Sequence, residues 1–134
     1  MRRLEFSSVH SYANEDSGVA VPVTLRSGAH QVHLAASIDT GAAFCLFSGE
    51  LASALGLVLT SGVHKRFRTA NSSFEAFGHE IEISVLGVLT YSMVYFFADP
   101  MIGKNVLGRT GWLDRVRLGL VDHDSELYLA SYSE

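Results

Sequence analysis

The 134 residues contain one cysteine, Cys45, so no disulfide can form within the chain. Its setting in Phe44-Cys45-Leu46-Phe47 reads as a small core residue and not a nucleophile. Apolar runs are short as well. Met93-Val94-Tyr95-Phe96-Phe97-Ala98 falls far below the roughly 20 residues of a spanning helix. The Met1-Arg2-Arg3 start has no long apolar region behind it. Neither a membrane partner nor a signal peptide is therefore expected, and a cytoplasmic location follows as the default. Six histidines include no His-Glu-x-x-His, and with one cysteine there is no Cys-x-x-Cys, so no metal and no cofactor are expected. Asp122-His123-Asp124 reads as a solvated hairpin turn before Glu126-Leu127-Tyr128-Leu129. Positive charge is not in excess: the formal net charge is −4, which argues against a nucleic-acid partner. The one basic cluster, His64-Lys65-Arg66-Phe67-Arg68, reads as a solvated strand.

What the chain does have is apolar residues in short, turn-bounded groups. Hydrophobic residues make up 48% and charged residues 18%, enough to bury a sizeable core. No repeat, linker or low-complexity tract divides it, so residues 1–134 read as a single domain. Strands are expected at Leu4 to Ser8, Val19 to Leu25, Val32 to Ile38, Phe44 to Phe47, Val63 to Thr69, Phe74 to Leu86, Val88 to Ala98, Asn105 to Leu107, Leu118 to Asp122 and Leu127 to Ala130. Helix is confined to about Gly49 to Leu55 and Gly111 to Val116. The expected class is all-β, a closed, mostly antiparallel barrel with one or two short helices.

Two Asp-(Thr or Ser)-Gly triplets occur, though on the order of one chain in twenty of this length should hold one by accident. Asp16-Ser17-Gly18 follows the polar Tyr12-Ala13-Asn14-Glu15 and reads as a loop. Asp39-Thr40-Gly41 is different. It follows Val32, Leu34, Ala36 and Ile38 alternating with His33, Ala35 and Ser37, the pattern of a strand with one face in the core. Asp39 shares the parity of His33 and should point away from the core, toward a cleft. Gly41 allows a sharp turn and a close backbone approach to the carboxylate, and the Thr40 hydroxyl is placed to lock that turn. After the strand-like Phe44 to Phe47, a helix is expected to start at an N-cap Ser48 and stop at a C′ Gly56.

In order and separation, Ser37-Ile38-Asp39-Thr40-Gly41-Ala42, the helix ending Leu55-Gly56-Leu57, and Asn105-Val106-Leu107-Gly108-Arg109 resemble the retropepsin-like aspartic proteases, the retroviral-type enzymes and their cellular and bacterial relatives. The resemblance extends from about Val19 to Leu129. It implies the barrel of that family and an aspartic endopeptidase. Catalysis would fall to Asp39, Thr40 and Gly41, and Gly108 and Arg109 would form the structural signature. The hairpin of Val63 to Gly78 would be the flap. Substrate would meet Ala42 and Ala43, the flap tip Ala70, Asn71 and Ser72, and Val106. One ordinary domain supplies one such loop, so the resemblance implies a homodimer with its two-fold axis between two Asp39 side chains. The partner is a peptide or protein substrate, the protein's own precursor included. Many retroviral members carry an acid four positions beyond the aspartate, paired with the signature arginine. Here that position is Ala43, and Arg109 needs another partner, such as a carboxylate across the interface. The alternative is a noncatalytic peptide-binding or dimerisation module on the same fold. The intact Asp39-Thr40-Gly41 favours the enzyme, because a scaffold has no need of a like-charge pair at its axis.

Overall fold

A computed structural model of the chain describes residues 1–13 and 18–133. Asp16, in the loop-like second triplet, lies outside them. Among the described residues ten strands form: β1 (Ser8–Ser11), β2 (Ala20–Ser27), β3 (His30–Ile38), β4 (Leu46–Phe47), β5 (Val63–Arg68), β6 (Ser73–Val85), β7 (Val88–Phe97), β8 (Val106–Leu107), β9 (Val116–Val121) and β10 (Glu126–Ser131). One short helix, α1 (Gly49–Ala54), follows β4. The second expected helix, Gly111 to Val116, is only a three-residue 3-10 turn at Leu113–Arg115. Asp122–Asp124 makes a similar exposed turn between β9 and β10.

Local signals explain the ends of α1. Ser48 occupies the N-cap, but its hydroxyl makes no capping bond; its N–H instead donates to the Asn105 side chain at 3.0 Å. Gly56 terminates the helix with φ +73°. The N–H groups of Gly56 and Leu57 reach back to the carbonyls of Ser53 and Ala52 at 3.0 and 2.9 Å, the paired bonds of a Schellman stop. The first strand is displaced from Leu4–Ser8 to Ser8–Ser11, because pairing with β10 sets its limits (Ser8 against Leu129, Ser11 against Glu126).

The expected closed, mostly antiparallel barrel does not form. The strands divide into two sheets, one of three in the order β1-β10-β9 and one of seven in the order β2-β3-β8-β4-β7-β6-β5. A three-residue contact of β2 with β6, Thr24 to Arg26 against Ser84 to Glu82, curls the larger sheet toward itself without closing the strands into one barrel. Its middle is mixed. β8 runs parallel to β3 and β4 runs parallel to β7, while β4 and β8 are antiparallel to each other. Parallel neighbours are joined through long connections, so no hairpin signal in the sequence marks them.

The core lies between the curled sheet, α1 and the small sheet. Leu25, Phe47, Leu55, Ile81, Ile83, Phe96, Leu107, Trp112, Leu127 and Leu129 are all but inaccessible to solvent. Each such side chain contributes about 1.5–3 kcal/mol by leaving water. Cys45 sits among them with no accessible surface. Desolvation pushes its thiol up to about 11, against a smaller opposing effect of the Gly108 N–H. It is a core residue.

Candidate active site

The carboxylate of interest stands where the edge of a regular strand becomes a pinned loop. Along β3, Ala36 is buried, Val32, Leu34 and Ile38 are half-buried, and His33, Ala35 and then Asp39 are exposed. Asp39 thus has the orientation that its parity dictates. Its backbone N–H donates to the Leu107 carbonyl of β8 at 3.0 Å, and the Ser37 N–H donates to Asn105 at 3.0 Å. The Ala42 N–H returns to the Asp39 carbonyl at 3.1 Å and closes the turn.

Gly41 brings its N–H to 2.8 Å from Oδ1 of Asp39, a charge-assisted bond that holds the carboxylate in place. A Cβ at this position would stand 3.2 Å from that same oxygen, so glycine keeps the approach open. The Thr40 hydroxyl has no hydrogen bond among the described residues; backbone and carboxylate close this turn, not the threonine side chain.

The late Gly-Arg pair runs directly beneath this loop. The Arg109 N–H donates to the Ala42 carbonyl at 2.9 Å, and the Thr110 N–H to the Ala43 carbonyl at 2.8 Å. The Gly108 N–H lies 3.4 Å from the Cys45 sulfur. A Cβ on Gly108 would fall 2.1 Å from the Phe44 carbonyl oxygen and 2.9 Å from that of Ala42. Only glycine lets the two segments cross. Two stretches separated by some sixty residues are thereby clamped into one unit that carries Asp39.

Two hollows flank the carboxylate. The first, about 270 Å³, is lined by Asp39, Ala42 and Val106 together with Leu46, Phe74 and Phe97, and by Ile102 and Lys104 of the loop before β8. The second, about 240 Å³, lies toward the small sheet and includes Thr40, Leu118, Leu120 and Leu127. A third, more open hollow, about 630 Å³, does not touch Asp39; Thr40, Ala43, Arg109 and Asp114 are among the residues lining it. There the Arg109 side chain is exposed and forms no ion pair or hydrogen bond among the described residues. Asp114, in the same hollow, is engaged by the Gly111 N–H at 3.0 Å and lies 3.7 Å from Arg115.

The β5–β6 hairpin leans over the first hollow through an aromatic cluster. Phe67 stacks on Phe74 at 5.1 Å and meets Phe44 and Tyr95 edge-on at 5.7 and 5.3 Å. Lys65 places Nζ 4.9 Å from the Phe44 ring. The tip is closed by Thr69 and Ser72, backbone to backbone at 2.8 Å.

A sequence model described as "Aspartyl protease" matches residues 21–110 of this chain. The chain belongs to the aspartyl protease family. The match ends just past the Gly-Arg crossing and contains both clamped segments. Among solved structures, a retropepsin-like aspartic protease from Rickettsia conorii is similar over 92% of this chain and 99% of its own, with TM-score 0.65 and 20% identity. At that identity the likeness speaks for the fold. No curated protein matches the chain.

Within this family member, the residues singled out in the sequence are divided. Asp39, Ala42 and Val106 share one hollow, while Thr40, Ala43 and Arg109 share another. The tip residues Ala70, Asn71 and Ser72 are exposed and line neither hollow beside Asp39. Sequence reasoning overlooked Leu46, Phe97, Ile102 and Lys104. Ile102 and Lys104 immediately precede the recognised Asn105–Arg109 block, and that adjacency was the available signal. No group of three or more His, Cys, Asp or Glu side chains among the described residues could hold a metal. None of the helices described is long and apolar enough to cross a membrane.

Proposed function

We propose that residues 1–134 act as a single-domain aspartic endopeptidase, assembled as a homodimer in which each protomer supplies one Asp39. The observation that supports it is the carboxylate itself: exposed at the end of a half-buried strand, gripped by Gly41 at 2.8 Å and opening on two hollows. A lone carboxylate activates water poorly. Two held close across a rotation axis cannot both ionise cheaply, so they share a proton and titrate as a pair. The ionised member takes a proton from a water between them, and the protonated one donates to the scissile carbonyl oxygen. Thr40 and Gly41 complete the loop around the carboxylate. Ala42, Ala43 and Val106 line the substrate path, with Gly108 and Arg109 as its structural support. The β5–β6 hairpin serves as the flap, its tip Ala70, Asn71 and Ser72 closing on an extended peptide. A peptide or protein, the precursor of this chain included, is the substrate.

The test incubates the protein and its Asp39→Asn variant with a diverse peptide mixture from about pH 3 to 7, the range that brackets carboxylate titration, while sizing both. Cleavage by the wild type and its loss in the variant are expected, with a bell-shaped dependence on pH. Equal cleavage by both would reject Asp39. A stable dimer that cleaves nothing at any pH would replace the enzyme with a peptide-binding module.

A further inference from the structure

The hollow beside Asp39 carries an unused cation. Its walls are apolar, formed chiefly by Leu46, Phe74, Phe97 and Ile102, and Lys104 stands among them. Lys104 is exposed and has no hydrogen bond, ion pair or ring contact among the described residues. Two cations of the hairpin over this hollow are engaged. Lys65 lies over the rings of Phe44 and Phe67, and Arg66 donates to Ser73 at 3.1 Å. The nearest acid in the same loop, Asp99, accepts from the Met101 N–H at 2.9 Å and does not line the hollow. Asp39 is therefore the one acid lining it among the described residues.

We infer that Lys104 is a specificity-determining residue that selects a substrate side chain bearing a carboxylate, with glutamate as the best fit, next to the bond being cut. This rests on the endopeptidase reading above. At about 270 Å³ the hollow is smaller than a typical small-molecule site and suits one side chain. Its apolar walls would take up the methylenes of a glutamate, and the ammonium at their edge would meet the carboxylate. The cation also offsets the negative charge of the Asp39 pair, which would otherwise repel an acidic side chain brought so close. A neutral glutamine of the same shape gains the walls without the ion pair. In a two-fold dimer each protomer presents its own Lys104, so the preference holds on both sides of the scissile bond.

The experiment compares kcat/KM for matched peptides that differ only by Glu or Gln at the residues flanking the cleaved bond, using wild type, Lys104→Met, Lys104→Arg and Lys104→Glu proteins. Wild type should favour Glu by about fivefold at low salt, the scale of a solvent-exposed ion pair, and less as salt rises. Lys104→Arg should keep the preference. Lys104→Met should bring the ratio to about one, and Lys104→Glu should invert it. A merely structural role for Lys104 would lower both peptides together and leave the ratio intact. The same peptides are also titrated by fluorescence anisotropy against Asp39→Asn protein. If nothing is cleaved but the Glu-to-Gln binding ratio still depends on Lys104, the endopeptidase reading fails and the acidic subsite stands. A wild-type ratio of one, a ratio unchanged in Lys104→Met, or neither cleavage nor binding of any of these peptides overturns the subsite.

Discussion

At the scale of single residues, the most constrained position is Gly108, because backbone atoms and not movable side chains surround its missing Cβ. Gly108→Ala would force the Phe44 carbonyl away from 2.1 Å and open the crossing that holds the Asp39 loop. The expected cost is about 3 kcal/mol, the upper part of the range for overpacking, read as a lowered midpoint in urea. Cleavage should fall with it even at temperatures where the variant stays folded. Tyr12 offers a different reading. Its hydroxyl donates to the Asp122 carboxylate, and chiefly that bond, then burial and the Asp122 charge, push the phenol from 10.0 to about 12. The folded state thus disfavours the tyrosinate. The contribution of this bond is complete below pH 10 and disappears as pH climbs from 10 through about 12. Ultraviolet titration should show Tyr12 ionising late, near pH 12, with Tyr128 also above its ordinary range, and Tyr12→Phe should remove the step near 12.

At the scale of elements, the β5–β6 hairpin is held over the site by rings as well as by its own ladder. Phe67 is the centre of that contact, touching Phe74, Phe44 and Tyr95. Phe67→Ala should cost about 2 kcal/mol, less than a fully buried phenylalanine because the side chain is half-exposed. Limited proteolysis should cut the variant faster between residues 63 and 78 while the rest of the chain stays resistant; uniform protection would show that backbone pairing alone docks the hairpin. Strands with clear alternation, such as β3, and turns with local chemistry, such as the Gly56 stop, were legible from residue order. β4 and β8, two residues each, were recognisable only as short apolar runs. Their parallel partners were not, because a parallel neighbour leaves no local trace. The expected helix at Gly111 to Val116 shrank for a related reason. Gly111 adopts φ +102°, and its N–H is taken by Asp114, so the segment begins as a turn.

At the scale of the whole molecule, the proposed active site is incomplete in one copy of the chain, and activity should depend on assembly. Specific activity should rise with protein concentration until dimers saturate. Mixing wild type with an equal amount of Asp39→Asn protein, followed by exchange of subunits, should reduce cleavage to about half, since only a quarter of random dimers retain two aspartates. Undiminished cleavage after proven exchange would mean that one Asp39 is enough. By itself the amino-acid order determined the orientation of Asp39, through the two-residue period of β3. It also determined the sharp turn at Gly41, because these two features depend on side-chain parity and on local backbone freedom. Tertiary structure alone decided that the strands divide into two sheets and do not close into one barrel, and that Lys104 shares a hollow with Asp39. Both follow from contacts between residues far apart in the chain, whose free energy no local pattern records.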